Sequence, residues 1–357
     1  MKVYIKFITS VYFKSLFFVF FIITSLVFIL NLLTEIEFFK DENINVSFTL
    51  FLSLLNSPAL VFEIFPFILL LTVQLFFIKF FENKELDIFR YSGLKNSSIL
   101  IILGVLTLIT GIFLISIFYN VSSSLKSVYL ELKSNYTSDG KYLAVVTKNG
   151  LWIKDKVDNK IIITNSSSIE NKYLMNNFIT EFDENFNVIR NIQSDKIDIT
   201  EKKWIIFNAR VYQQNDYRNI SNIKINTNFN SERIQTLYSN LSALTFVELY
   251  ELRKNYKKLN YSITDLDLHM LKLISNPIYL LLITIFASSI MFRIKQIKSS
   301  TFKISIGLFF SVIIYYFNNF SYVLGSTERI SLLISIFFPL IILTCVNGFL
   351  LNKVNDK

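Results

Sequence analysis

This chain of 357 residues has a single cysteine and a single histidine. One thiol, Cys345, cannot form an internal disulfide, so no part of the molecule is stapled. His269 has no cysteine near it and cannot assemble a usual zinc site, so no metal is expected. There is no G-x-x-x-x-G-K-[ST], so the chain cannot cradle nucleotide phosphates in a P-loop. No H-E-x-x-H and no G-x-S-x-G are present, which leaves no metalloprotease helix and no nucleophile elbow. Proline (4) and glycine (8) are scarce while Asn, Ile, Lys and Phe abound, a pattern read as genomic bias rather than function. No active site of its own is expected.

Charge is missing from long stretches. Six uncharged or nearly uncharged runs cover residues 11–33, 60–80, 98–120, 273–292, 304–324 and 330–351, three on each side of a polar block. A helix needs ~20 mostly apolar residues to cross the hydrocarbon core. Lipid offers the backbone no hydrogen-bond partner, so each run is expected to be a helix despite its Phe and Ile content. The first run starts after Lys2 and Lys6 but is long and lacks a small-x-small cleavage site, so it reads as a retained span. Thr24, Ser25, Thr107, Thr110, Thr284, Ser288 and Ser289 lie within the runs, where hydroxyls bond their own or a neighbouring helix. Charges inside the runs are effectively absent, which disfavours an ion or proton relay and suits an amphiphile with an apolar body.

Orientation follows from the basic residues of the short segments. Lys2, Lys6 and Lys14, then Lys79, Lys84, Arg90 and Lys95, then Arg293, Lys295, Lys298 and Lys303, then Lys353 and Lys357 fall on one side of a six-span protein. Glu35, Glu37, Asp41 and Glu42, and the short loop at Glu328 and Arg329, fall on the other. Both termini are therefore expected in the cytoplasm and the polar block outside. The net charge of +9 mostly reflects this bias. The basic residues are scattered over loops, so nucleic-acid binding is not expected.

The polar block, 121–268, carries 20 basic and 17 acidic residues, too balanced for a polyanion surface. Its first residues, 121–136, have helical spacing and continue the third span. After Asp139-Gly140 come eight short apolar or alternating runs, 142–147, 151–154, 160–164, 178–182, 188–192, 196–200, 204–212 and 223–227. Asn149-Gly150, Asp158-Asn159 and Asp183-Glu184-Asn185 punctuate them. Such spacing suggests a sandwich, a roll or an open barrel. Residues 245–258 then read as a helix. The expected fold is thus an α-helical membrane protein, six helices arranged 3+3, with an inserted all-β, jellyroll-like domain. Its parts are 1–120 (with a cytoplasmic helix at 82–93), 121–268 and 269–357.

The segment 82–96 reads E-N-K-E-L-D-I-F-R-Y-S-G-L-K-N. On a helix Leu86 and Phe89 share a face, Glu85 and Arg90 are exposed, and Gly93 supplies a C-cap. It resembles the coupling-helix motif, roughly E-L-x-x-x-R-x-x-G, of the lipopolysaccharide-export permeases LptF and LptG. Phe65-Pro66, Asn276-Pro277 and Pro339 are similar to that family, as is the polar stretch 315–320. Lys148-Asn149-Gly150-Leu151-Trp152-Ile153-Lys154-Asp155 resembles the G-L-W-x-K-D strand of the LptG branch, and Phe182-Asp183-Glu184-Asn185 and Lys203-Trp204 agree. The resemblance runs from Tyr4 to about Leu351.

The resemblance implies an inner-membrane subunit that extracts lipopolysaccharide and passes it to a periplasmic bridge of jellyrolls. Its implied partners are an LptF-like permease in a heterodimer, an LptB-like ATPase dimer and an LptC-like single-span protein. ATP and magnesium would be held by the ATPase, and no cofactor by this chain. Glu85, Leu86, Phe89, Arg90 and Gly93 would form the ATPase contact. Asn31, Tyr315, Asn318 and Asn319 would lie on the lipid path or lateral gate, between spans 1 and 5. Gly150, Leu151 and Trp152 mark the outer strand. The family's LptG branch often has a basic residue where Asn31 stands, so the phosphate-binding residues are left open. The alternatives are the sister LptF-type permease, a membrane scaffold that binds a periplasmic protein, and an intramembrane lipid-modifying enzyme.

Overall fold

Apolar length fixes the first helix. α1 spans Val3–Phe38, 36 residues without a glycine or proline, which is ~54 Å of helix against a hydrocarbon core of ~30 Å. The computed structural model describes residues 3–40, 44–134, 136, 143–147, 150–157, 159–170, 172–213, 216–231, 234, 240–258 and 262–352. Lys2, Asp41, Glu42, Asp139-Gly140, Lys148-Asn149, Asp158, Lys353 and Lys357 lie outside them. The chain forms two compact units, residues 1–126 with 267–357, and residues 127–266.

In the first unit α2 (Val46–Glu63) and α3 (Phe65–Glu82) follow α1. The sequence places a loop before residue 60, whereas the structure continues as helix back to Val46. Ser, Thr and Asn hide this helix from a hydropathy reading, and Pro58, which lies inside it, argues against a helix there. In place, Ser53 and Ser57 donate to backbone carbonyls one turn back, at 2.8 and 2.6 Å, and are buried with Asn56. The break falls at Ile64, ahead of Pro66 in the first turn of α3, where a proline fits best. Phe65 packs near Phe20 of α1, ring centres 6.5 Å apart, while Asn31 of α1 bonds Ser53 and Asn56 of α2. So α2 and α3 run end to end along α1 as one broken helix. Among the described residues seven helices are long and apolar enough to cross a membrane, and this pairing makes six crossings of them.

α4 (Glu85–Tyr91) is short. α5 (Asn96–Phe113) passes through a π-helical turn, Leu114–Tyr119, into α6 (Asn120–Ser134). After the β domain and α7 (Phe246–Lys258) come α8 (Thr264–Arg293), α9 (Ser300–Ser326) and α10 (Leu332–Leu351). Polar pairs lock the crossings, as expected where lipid gives no drive for helices to associate. Tyr12 Oη lies 3.3 Å from Thr107 Oγ1, which donates to Thr284 Oγ1 at 3.1 Å, joining α1, α5 and α8. Gln74 Nε2 donates to the Lys303 carbonyl at 3.2 Å, joining α3 to α9. Gly307 lets α9 come this close, since a Cβ there would stand 1.4 Å from Gln74 Nε2. Only 17% of the apolar window of α1, and of α9, is buried, against 61% for α3 and α8.

The second unit carries one antiparallel sheet, β1 (Leu143–Thr147), β2 (Gly150–Val157), β3 (Lys160–Glu170), β4 (Tyr173–Phe182), β5 (Val188–Asp198), β6 (Lys203–Gln213) and β7 (Asp216–Asn226), in that order. The runs expected at 188–192 and 196–200 are one strand. In its polar middle Asn191, Gln193 and Lys196 are paired on both sides and Ser194 with β4, so ladder bonds replace the missing apolar alternation. Leu151, Ile153, Ile162, Leu174, Ile179, Ile192, Ile206 and Trp204 form a closed core. The chain after β7 returns across it: Asn228 N and Nδ2 donate to the Asp155 carboxylate of β2, and Ser231 N to the Ile199 carbonyl. The sheet is thereby rolled, with meander connections. Thr245 and Glu248 cap α7 reciprocally, with Thr245 N 2.8 Å from Glu248 Oε2.

Candidate functional site

Seven residues are too few for a free helix to persist in water, so α4 must be held by its neighbours. Lys84 enters it in the left-handed conformation (φ 57°) with no side-chain cap. Leu86 is 1% exposed and sits in the membrane unit's core. Phe89 stacks on Phe80 of α3 (5.6 Å between ring centres, 12° between planes) and approaches Phe7 of α1 at 5.8 Å. Asp87 Oδ1 accepts from Lys295 Nζ at 2.8 Å, tying α4 to the segment between α8 and α9. That bond holds the Asp87 carboxyl below the usual carboxylate range. The effect on stability is small because the pair is open to water.

The C-terminal end is a Schellman motif. Gly93 has φ 80°, its N–H bonds the Arg90 carbonyl at 2.9 Å, and Leu94 N–H reaches the Phe89 carbonyl at 2.9 Å. Arg90 Nε donates to Asn96 Oδ1 at 3.2 Å, the first residue of α5. Leu86, Phe89, Arg90 and Gly93 therefore fix α4 in place. What α4 turns outward is Ile88, 60% exposed, and Tyr91, 92% exposed, which the sequence reading did not single out. Only their place on the helix face opposite Leu86 and Phe89 could have marked them. Glu85 stands beside them, half-buried. Its Oε1 accepts from Asn83 at 3.2 Å, and its Oε2 is shielded with no hydrogen bond among the described residues.

The residues expected on a lipid path do not come together. Asn31 is buried between α1 and α2, where its Nδ2 donates to the Ser53 carbonyl at 3.2 Å and its Oδ1 accepts from Asn56 at 3.0 Å. Tyr315 of α9 lies 5.2 Å, ring centre to ring centre, from Phe67 of α3, and Asn318 is half-buried on the same helix. Asn319 is exposed on the other side of α9.

The Gly150-Leu151-Trp152 strand opens β2. Leu151 is in the β core and Trp152 is 43% exposed on the opposite face. Gly150 has φ 114°, and a Cβ there would stand 2.1 Å from the Ser166 carbonyl oxygen. Gly150→Ala should cost the β domain at least ~1–2 kcal/mol. Hydrogen exchange of residues 150–170 in the full chain should rise at least severalfold, and wild-type protection would refute this role.

A broken-helix membrane unit with two open apolar helices, a β insertion and a short helix fixed at one end of the spans is the architecture of a multi-pass membrane protein. The model of the lipopolysaccharide export system permease LptF/LptG family matches residues 6–353, and the chain belongs to that family. No individually curated protein matches it. Membership supports a permease role in lipopolysaccharide export, as a transmembrane subunit that is not by itself an enzyme.

Proposed function

We propose that this chain is an LptG-type subunit of an ABC exporter in the inner membrane, and that α4 is the seat of its ATPase. The observation that carries the proposal is the two-sidedness of α4. One face is anchored by Leu86, Phe89 and the Asp87–Lys295 bond. The other presents Ile88 and Tyr91, with the half-buried Glu85 carboxylate beside them. An exposed tyrosine and isoleucine beside a carboxylate suit a partner groove that is apolar with a basic rim. Gly150-Leu151-Trp152 supports the LptG over the LptF assignment.

In this reading α4 is cytoplasmic, both termini are cytoplasmic and the β domain is periplasmic. ATP and magnesium belong to an LptB-like dimer. An LptF-like permease pairs with this chain, and an LptC-like protein completes the inner-membrane complex. The open faces of α1 and α9 form the gate through which lipopolysaccharide enters. Closure of the ATPase dimer moves α4, collapses the cavity between the permeases and drives the lipid toward the β domain. This chain contributes differential affinity for lipid in two states rather than chemistry.

Glu85→Lys is expected to uncouple ATP hydrolysis from transport while the chain stays in the membrane. Tyr91→Ala should weaken ATPase retention by roughly thirtyfold, the size of an interface hot spot. Transport assays in proteoliposomes and ATPase co-purification read these outcomes. Full transport by Glu85→Lys would sink the coupling role.

A further inference from the structure

Residues 294–299 join α8 to α9, and the segment is tied at both ends to the elements that carry α4. At one end Lys295 Nζ donates to Asp87 of α4. At the other, Ser300 begins α9 and donates from Oγ to Glu82 Oε1 at 2.9 Å. Glu82 is the last residue of α3, just ahead of α4. Asn83 follows it and donates from Nδ2 to Glu85 Oε1. A short run of polar side chains thus leads from Glu85 through Asn83 and Glu82 to the first turn of α9.

That turn is held from several directions. Ser299 caps it, accepting from Phe302 N at 3.2 Å. A carboxylate beside a helix N-terminus meets the positive end of the helix dipole, so Glu82 suits this place. Lys303 adds a cation one turn on. It is buried, its Nζ lies 4.9 Å from the Phe81 ring centre, and it is within the field of Glu82. Its carbonyl accepts from Gln74 of α3, and Gly307 makes room for that contact. Beyond Ser311, residues 312–320 are exposed or half-buried, and burial resumes at Ser321. α9 is therefore gripped at its inner end by the end of α3 that carries α4, while its middle is open.

A helix passes on a displacement applied to its first turn, because backbone bonds hold each turn to the next. We propose, on the permease reading above, that Glu82 is a positioning residue. It seats the first turn of α9 on the root of α4, so that movement of α4 under the ATPase shifts α9 and with it one wall of the lipid path. Glu82 acts through Ser300 and Lys303 rather than by touching the ATPase or lipid. Glu85 and Tyr91 receive the movement, and Glu82 hands it to α9. The Asp87–Lys295 bond cannot replace it, since that bond ends on the connecting segment and not on the helix. A charged contact open to water shifts an equilibrium by up to about fivefold, which bounds the effect.

The test uses the complete purified complex in proteoliposomes, in a background of Phe309→Cys and Cys345→Ser with an environment-sensitive fluorophore on position 309. Phe309 lies on the exposed face of α9. In this background ATP with vanadate should shift the emission. Glu82→Ala should reduce that shift, and the lipopolysaccharide moved per ATP hydrolysed, by roughly fivefold. ATPase co-purification and the emission without nucleotide should stay at background values, which a general loosening of the fold would change. Glu82→Gln keeps an acceptor for Ser300 and should retain roughly half of the shift or more. A full shift in Glu82→Ala, or no shift in the background protein although the ATPase is bound, overturns the inference and leaves the permease reading standing. Absence of the ATPase from the background complex removes the permease reading, and this inference with it.

Discussion

Leu86→Asp should abolish transport and release the ATPase while leaving the chain in the membrane. α4 has seven residues and no side-chain N-cap, so its position comes from burial rather than propensity. Leu86 is 1% exposed, and the nearby core is built from Phe76, Phe77 and Phe80, all 0% exposed. An ionised carboxylate among them has no partner and costs several kcal/mol, more than α4 gains by docking. α4 would lift, and Ile88 and Tyr91 would lose their fixed presentation. Leu86→Met keeps volume and apolarity, should cost less than ~1.5 kcal/mol, and should retain transport. Membrane content, ATPase co-purification and proteoliposome transport separate docking from insertion. Normal transport by Leu86→Asp would mean that α4 is held by something other than its buried face.

Trp204→Ala should unfold the β domain and spare the helices. The Trp204 ring is 1% exposed, and its Nε1 donates to the Phe229 carbonyl at 2.8 Å. Truncating such a ring costs about 3–5 kcal/mol. The orphaned carbonyl adds to this. A domain with ~5–15 kcal/mol in hand has little left after such a loss. Limited proteolysis should cut within residues 150–230 at least tenfold faster, while fragments of the membrane unit persist. Trp152→Ala, on the exposed face, should change the cleavage rate little. Protection equal to wild type in Trp204→Ala would contradict the closed core.

What was legible in the sequence follows what each region's pattern encodes. The apolar runs announced the crossings because lipid leaves the backbone no alternative to helix. α2 escaped notice because Thr49, Ser53, Asn56 and Ser57 look like a loop. Only packing against α1 shows that their polar groups are satisfied inside and between helices. The strands were found where residues alternate, and their polar stretches were not, since a strand paired on both sides needs no apolar code of its own. For α4 the shared face of Leu86 and Phe89 could be read from spacing. That this face turns inward, leaving Ile88 and Tyr91 to a partner, could not. Asn31 illustrates the same limit: a polar residue within a span looks like a ligand contact until a neighbouring helix claims it. Ser300 and Lys303 are far from Glu82 in sequence, and only the fold brings them together.

In the proposed function this chain works as the permease half of an exporter driven through α4. Native mass spectrometry of the tagged chain, purified gently from its own membranes, tests it most directly. One second permease, two copies of an ATPase and bound lipopolysaccharide are expected in the same particle. The Leu86→Asp chain should appear without the ATPase. A lone chain or a homodimer, under conditions that keep a control ABC transporter intact, would contradict it.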